Sequence, residues 1–214
     1  PTRRSSDLAI VWCNALSEME GKTPVYYLDE QKTQTLKNSP SYRLPMFLLH
    51  ELYAANSGKP HPLNRAPQIH AKWSADGYRL PTRCEWEYAY MAGSETRFPW
   101  GDKFKVEDLW NGSNSGGKTQ PVGKKSPNSL GLHDMAGNVF EWLWTMNNPL
   151  DYYDTVNPKG KAGSSGGAGH GPSVGGGSFI SKGENVVGAS IYETRRPPAC
   201  IPYGSYPEIG FRIV

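Results

Sequence analysis

The sequence predicts an α+β domain in which regular secondary structure is sparse, with two main helices and short antiparallel strands. Two stretches have the apolar spacing and capping residues of helices, and the other ordered runs are short and extended. The composition agrees, because 24 glycines and 18 prolines among 214 residues favour turns and loops. Aromatic residues make up 12% of the chain and supply bulky core contacts. We expect a single domain spanning residues 1–214.

The first predicted helix lies in SSDLAIVWCNALSEMEG, residues 5–21. Ser6 has the side chain of an N-cap residue, and Gly21 is suited to end the helix. The spacing predicts that the buried face of this helix consists of Leu8, Val11, Trp12, Ala15, Leu16 and Met19. Cys13 is then expected in or beside the core.

The second predicted helix lies in LPTRCEWEYAYMAG, residues 80–93. Thr82 and Glu85 have the T-x-x-E spacing of a capping box, and Gly93 marks the end. Between the two helices, TPVYYL at residues 23–28 predicts a short strand.

The remaining segments are predicted to be an insertion, a loop and two strands. Residues 38–68 have the character of an insertion, within which Met46–Ala55 is compatible with a short helix. Residues 160–177 are glycine-rich and lack the spacing of a phosphate-binding motif, so we expect a mobile surface loop. GGSFIS and IGFRIV, at 176–181 and 209–214, are expected to be core strands.

Charge and motif content exclude several classes of function. The formal charge is +3, and the basic residues are scattered, which argues against binding of nucleic acid. No apolar run approaches the roughly 18 residues that a membrane span needs. The metalloprotease pattern H-E-x-x-H is absent. Because the chain begins at Pro1 without a signal-like stretch, we expect it to be a fragment of a longer precursor.

Six motifs occur along the chain in a fixed order: GYRLPTRCEWEYAYMAG, FPWGD, PVG, SPNSLGLHDMAGNVFEW, GGSF and GFR. In this order they resemble the formylglycine-generating-enzyme (sulfatase-modifying factor) family, whose fold is C-type-lectin-like. The opening AIVWCNALSEMEGKTPVYY is similar to the first helix and following strand of that family. The resemblance covers nearly the whole chain apart from the insertion, and it implies a C-type-lectin-like fold.

The resemblance also implies a structural calcium ion in the turn DMAGNVFEW. The ligands carried over from the family are the carboxylates of Asp134 and Glu141 and the carbonyl oxygens of Gly137 and Val139. Calcium takes about six to eight oxygen ligands, so carboxylates that flank a bent backbone suit it. The alternative is that Asp134 caps the turn and that Glu141 pairs with an arginine such as Arg212.

The chemistry of the family's enzymes is not expected in this chain. The oxidase uses two cysteines in the loop before GFR to bind copper, and a soft monovalent copper ion needs both thiolates. Here that loop, residues 189–212, contains only Cys200. Another branch of the fold binds iron through three histidines in an H-x-x-x-H-x-E pattern, which does not match His50, His61, His70, His133 and His170. We expect no catalytic residues and no copper or iron.

The C-terminal segment, at about 176–214, keeps the family's strands but has unusual loop residues. Tyrosine, serine and glycine are frequent in it, and tyrosine offers a large amphipathic contact area at low entropic cost. This combination resembles the variable proteins of diversity-generating retroelements, of the treponemal surface-lipoprotein type, in which mutagenesis directed at adenines changes loop residues. The resemblance implies a ligand-binding surface formed by Ser181, Lys182, Tyr192, Glu193, Thr194, Ala199, Cys200, Ile201, Tyr203, Ser205 and Tyr206.

The expected function is therefore binding of an unknown protein or other extracellular ligand by a monomer at the cell surface. A lipid anchor outside this chain is the only expected link to a membrane. Substitutions in the loops should change affinity more than stability, whereas truncation of Trp86 or Trp142 should do the reverse. Three alternatives stay open: a divergent oxidase or oxygenase, an adaptor domain without an exposed site, and loop aromatics that only pack their own loop.

Overall fold

The computed structural model describes residues 5–37, 69–146, 172–183 and 207–214. In chain order its elements are α1 (Ser5–Met19), β1 (Tyr26–Tyr27), β2 (His70–Ala71), α2 (Arg83–Met91), a 3₁₀ turn (Val106–Asp108), β3 (Phe140–Met146), β4 (Pro172–Gly175) and β5 (Ile209–Phe211). Two helices, short strands and long connecting loops agree with the predicted α+β class. The insertion predicted at 38–68, with its helix Met46–Ala55, lies outside the described residues. Among the described helices, none has the length and apolar character needed to cross a bilayer.

The strands form two small sheets. β1 and β2 pair antiparallel, and a three-stranded sheet has the order β4-β3-β5. In the second sheet β3 is antiparallel to β4 but parallel to β5, so the predicted antiparallel arrangement is wrong for one pair. β4 and β5 therefore lie at opposite edges of this sheet and run in opposite directions.

The buried face of α1 differs from the predicted face. Trp12 is 46% exposed and Met19 is 83% exposed, although both were expected to be buried. The side chains that α1 buries are Ala9, Ile10, Cys13, Asn14 and Ser17. The prediction that Cys13 lies in the core is confirmed, because its exposure is 0%. The helix begins at Ser5, so the proposed N-cap residue Ser6 lies inside the first turn.

Small and polar residues line α1 because two backbone segments approach it closely. A Cβ atom placed on Gly77 would lie 2.6 Å from the Ser17 hydroxyl oxygen, which leaves no room for a larger residue on either side. The Asn14 side chain donates to the carbonyl oxygens of Tyr26 and Leu36, at 2.8 and 2.9 Å. Its amide oxygen accepts from the backbone N–H groups of Val25 and Tyr26. Asn14 therefore bonds to backbone groups in and beside β1, of which the Tyr26 carbonyl oxygen also accepts from the Leu36 N–H at 2.9 Å.

The predicted capping box of α2 is confirmed. The Thr82 hydroxyl accepts from the Glu85 backbone N–H at 3.3 Å, and the Glu85 carboxylate accepts from the Thr82 N–H at 2.8 Å. The helix ends at Ala92, which has a left-handed conformation with φ of 51°, directly before the predicted stop at Gly93. These contacts fix where α2 begins and therefore where Trp86 points.

Part of the glycine-rich stretch forms the strand β4, which packs against the Trp86 ring. A Cβ atom placed on Gly175 would lie 3.0 Å from the Trp86 ring, so β4 can pack on the indole only where it has no side chain. The prediction of a mobile loop through residue 177 is thus wrong for Pro172–Gly175. The strand predicted over residues 176–181 is also wrong, because this stretch turns away from the sheet.

β3 lies between two hydrophobic clusters. Consecutive side chains on a strand point to opposite faces, so Trp142 joins the cluster under α1, and Leu143 joins the cluster under α2. Trp86 stacks on Tyr90 in the second of these clusters, with the ring centroids 5.3 Å apart. Both packing interfaces therefore depend on the position of this one strand.

We expect Asn14→Ala to lower the free energy of unfolding by about 3 kcal/mol, because it removes four buried hydrogen bonds between the side chain and the backbone. Urea unfolding followed by circular dichroism measures the change. Gln31→Ala, at an exposed position, is the control and should have little effect. An equally small effect of Asn14→Ala would show that these hydrogen bonds do not hold α1 against β1.

Candidate functional site

Glu141 occupies the centre of the three-stranded sheet. On β3 it lies opposite Gly175 of β4 and Gly210 of β5. Its side chain is 8% exposed, and both carboxylate oxygens have partners. Arg212 donates from Nη2 to Oε1 at 2.8 Å and from Nε to Oε2 at 3.1 Å, and Trp86 donates from Nε1 to Oε2 at 2.7 Å. The bidentate ion pair between Arg212 and Glu141 is the alternative to a calcium ligand that the sequence analysis left open.

The turn before β3 is held in a conformation that requires glycine at one position. Gly137 has φ of 75°, and a Cβ atom there would lie 2.2 Å from the Trp110 carbonyl oxygen. Its N–H donates to the Gly176 carbonyl oxygen at 2.6 Å. Arg212 also donates to the His133 carbonyl oxygen at 3.0 Å, so the ion pair reaches the start of this turn. The turn is therefore fixed to β4, to the Trp110 segment and to the C-terminal strand.

Asp134 opens the turn with a left-handed φ of 53°. Its Oδ2 accepts from the Gly123 N–H at 2.7 Å, while its Oδ1 is buried without a hydrogen-bond partner. A buried carboxylate oxygen without a partner is costly unless a donor or a cation reaches it. The Oδ1 atom of Asp134 is therefore suited to bind a metal ion, and the Oδ2 atom caps the turn.

The predicted calcium ligands fit an ion only in part. Asp134 Oδ1 is suited to a cation, but both oxygens of Glu141 already accept charged or polar donors. A cation on Glu141 would have to share the carboxylate with the guanidinium of Arg212, against charge repulsion. Within the described ranges, no group of three or more histidine, cysteine or acidic side chains could hold a metal ion. Calcium at this turn stays a prediction, with Asp134 as its best-suited side-chain ligand.

The predicted ligand-binding residues fall in two groups. Ser181 and Lys182 belong to a turn at residues 178–183 that the structure describes. The others lie outside the described residues: Tyr192, Glu193, Thr194, Ala199, Cys200, Ile201, Tyr203, Ser205 and Tyr206.

The turn at 178–183 is anchored from within and exposed at its tip. Ser178 is fully buried, and its N–H donates to the Ser181 hydroxyl oxygen at 3.1 Å. Phe179 is buried, whereas Ile180 is 52% exposed and Lys182 is exposed. Ser181 therefore has a structural role that the sequence did not predict.

Residues 111–115 hold this turn from the other side. The Gly112 N–H donates to the Ser181 carbonyl oxygen at 2.8 Å, and the Ser115 hydroxyl donates to the Phe179 carbonyl oxygen at 2.7 Å. Asn138 adds a third contact, because its carbonyl oxygen accepts from the Phe179 N–H at 2.8 Å. Sequence reasoning missed these anchors, because they join segments that are distant along the chain.

Among the described residues, neither Cys13 nor Cys84 has surroundings that favour the thiolate form. Burial raises the pKa of the Cys13 thiol to about 12, despite an opposing backbone hydrogen bond. Burial, assisted by the charge of Glu87, also raises the pKa of Cys84. Both thiols are protonated at neutral pH, and a protonated thiol is a poor nucleophile and a poor metal ligand.

Comparison with known proteins agrees with the geometry. A family model described as "Sulfatase-modifying factor enzyme 1-like domain" matches residues 9–214. The chain belongs to this family. Formylglycine-generating enzyme from Mus musculus is 36% identical over 118 residues, which are 44% of this chain and 31% of the mouse protein. Chaperone protein LppX from Paenibacillus barcinonensis is 31% identical over 161 residues, which are 64% of this chain and 48% of that protein.

A solved structure, Treponema denticola variable protein 1, has a similar fold. The TM-score is 0.65 at 26% identity, and the match covers 96% of this chain and 66% of that chain. The formylglycine-generating-enzyme-like, C-type-lectin-like fold and the resemblance to a treponemal variable protein are thereby confirmed. The matches span 31% and 48% of these two curated relatives, so the activities of the whole proteins do not transfer directly.

We expect Arg212→Met to lower the free energy of unfolding by about 3 kcal/mol, because it leaves the buried Glu141 carboxylate with Trp86 as its remaining described partner. Adding Glu141→Gln should restore part of the loss, since it removes the uncompensated charge. Lys37→Met tests the exposed Lys37–Glu18 pair as a control and should cost below about 1 kcal/mol. Urea unfolding of the wild type, the single variants Arg212→Met and Glu141→Gln and the double variant gives the coupling energy, and additive losses would contradict the pairing.

If the turn binds calcium, the ion should raise the Tm of chelator-treated protein, because a ligand held only by the folded state stabilises it. Asp134→Ala should abolish the increase, since it removes the buried free oxygen. Glu95→Ala, at an exposed acidic position, should leave the increase intact. Calorimetry with and without a strong chelator makes the test, and an unchanged Tm would count against the ion.

Proposed function

We propose that this chain is a non-catalytic ligand-binding domain at the cell surface, whose C-terminal loops are diversified by a retroelement. The ligand is a protein or another extracellular molecule. Recognition uses the loop residues between the turn at 178–183 and β5, and the framework supplies a fixed base for them.

The observation that carries this proposal is the attachment of both ends of the loop segment to one strand. β4 leads into the segment and β5 follows it, and both strands pair with β3. The entry turn is also bonded to residues 111–115. Since the base is fixed by backbone pairing and by the Glu141–Arg212 ion pair, side chains on the intervening segment can change with little effect on the fold.

The resemblance to a treponemal variable protein supports recognition rather than catalysis. It also supports a position at the cell surface, which the sequence alone only suggests. In addition, the loop before the terminal strand contains a single cysteine, Cys200, where copper chemistry needs two thiolates. The raised pKa values of Cys13 and Cys84 speak against either of them replacing the missing partner.

An oxidase is the second candidate function. Its support is the 36% identity to the mouse formylglycine-generating enzyme. That match covers 44% of the chain. The family motifs of the sequence include α2 and the turn before β3, and both contribute to the core. Similarity in framework motifs accounts for a shared fold and does not require a shared copper site.

Diversification predicts where the coding sequence varies. Many clones or isolates should differ at adenines in codons for residues 180–206, whereas the codons for β3 and β5 should stay constant. A near-copy of this segment beside a reverse transcriptase gene is also expected. Deep sequencing of the locus tests this prediction, and a uniform segment without a near-copy would contradict diversification.

Oxygen uptake with copper and a cysteine-containing peptide tests the second candidate function, and turnover would establish the oxidase.

A further inference from the structure

The exposed tip of the turn at 178–183 adjoins a second loop that lies outside the C-terminal segment. The Ser115 hydroxyl joins the two, because it donates to the Phe179 carbonyl oxygen at 2.7 Å and accepts from the Gly117 N–H at 3.1 Å. Gly117 and Phe179 are therefore two hydrogen bonds apart. Ser115 itself is 2% exposed, so this junction is part of the framework.

Additional bonds keep the second loop against the same junction. The Gln120 side chain donates to the Ser115 carbonyl oxygen at 2.6 Å, and the Gln120 N–H donates to Asn138 Oδ1 at 3.0 Å. Residues 116–119 between these anchors are all exposed. We call the exposed residues 116–119, 180, 182 and 183 together the two-loop surface.

The two-loop surface is cationic. From residue 109 to residue 133 the sequence has three lysines and no acidic residue. Lys125 is occupied, since its ammonium lies over the Trp110 ring, 4.1 Å from the centroid. Lys118 and Lys182 are exposed, and neither forms a salt bridge within the part of the chain that the structure describes.

An apolar side chain lies in the same surface. Ile180 is 52% exposed and is two residues from Lys182 in the same turn. A polyanionic glycan or a lipid headgroup would use the lysines but would leave Ile180 in water. A polypeptide with alternating acidic and apolar side chains would pair with the lysines and cover the isoleucine.

We propose that the two-loop surface docks an acidic polypeptide segment that also carries apolar side chains. This inference rests on the proposed function and gives the ligand a chemical class. Residues 116–119 lie outside the segment whose codons are proposed to vary, whereas Ile180 and Lys182 lie at its start. Lys118 and Lys182 attract the carboxylates of the partner, and Ile180 packs on its apolar side chains.

The probe is a fluorescein-labelled peptide of four Glu-Leu repeats, with Gln-Leu and all-Glu peptides of equal length for comparison. Anisotropy with the whole chain measures binding, and amide chemical shifts of the labelled protein locate it. We expect the Glu-Leu peptide to bind most tightly, to shift the amides of Lys118 and Lys182, and to bind less tightly as salt increases.

The double variant Lys118→Glu with Lys182→Glu should weaken binding by roughly tenfold or more, because it replaces attraction by repulsion. Lys37→Glu with Lys103→Glu makes the same change in net charge elsewhere and should have little effect. Ile180→Ser should weaken the Glu-Leu peptide more than the all-Glu peptide. Circular dichroism shows whether each variant is folded.

Four outcomes would overturn the proposal: no binding up to about 1 mM peptide, equal binding of the all-Glu peptide, an equal loss in the control variant, or shifts confined to other surfaces. Its failure is distinguishable from failure of the proposed function. Variation of the coding segment together with failure of the peptide test refutes only the two-loop surface. Copper-dependent turnover or a uniform coding segment refutes the proposed function, whatever the peptide does.

Discussion

The buried contact between Glu141, Arg212 and Trp86 determines how the rest of the framework fits together. It joins β3 to the residue that follows β5 and to the core side of α2. A carboxylate in the middle of a sheet is costly to bury, and here the cost is offset by three donated hydrogen bonds, two of them from a cation. Because the chain segments that meet there are distant in sequence, this contact forms only when the whole fold is assembled.

Much of the framework could be predicted from local sequence signals. The capping box of Thr82 and Glu85 identified α2, because both partners lie within one helical turn. The motif order identified the family and, with it, a turn ending in Glu141. The face of α1 and the strand at Pro172–Gly175 were not predictable in this way. Both depend on close packing between distant segments: the backbone at Gly77 against α1, and the backbone at Gly175 against the Trp86 ring. The spacing of apolar residues along the sequence does not reveal such contacts.

The candidate site was predictable to a similar degree. The sequence singled out Asp134 and Glu141 as the two carboxylates of an unusual turn and offered Arg212 as an alternative partner of Glu141, and the ion pair itself is seen only in the tertiary structure. Serine is a residue type typical of variable loops, yet the Ser181 hydroxyl accepts a hydrogen bond from the Ser178 N–H within its own turn. A side chain that caps its own turn and also borders the proposed binding surface cannot be assigned to one role from its residue type alone.

The pairing of β4 and β5 with opposite edges of β3 has a consequence for how such loops can evolve in length. The entry and exit of the intervening chain are held by separate backbone ladders, so added residues do not alter the register of either strand. The entropy of closing a flexible loop increases slowly, by about 0.6 kcal/mol for each doubling of its length. Related proteins with this arrangement can thus gain or lose several residues there and present a deeper or a shallower contour to their targets.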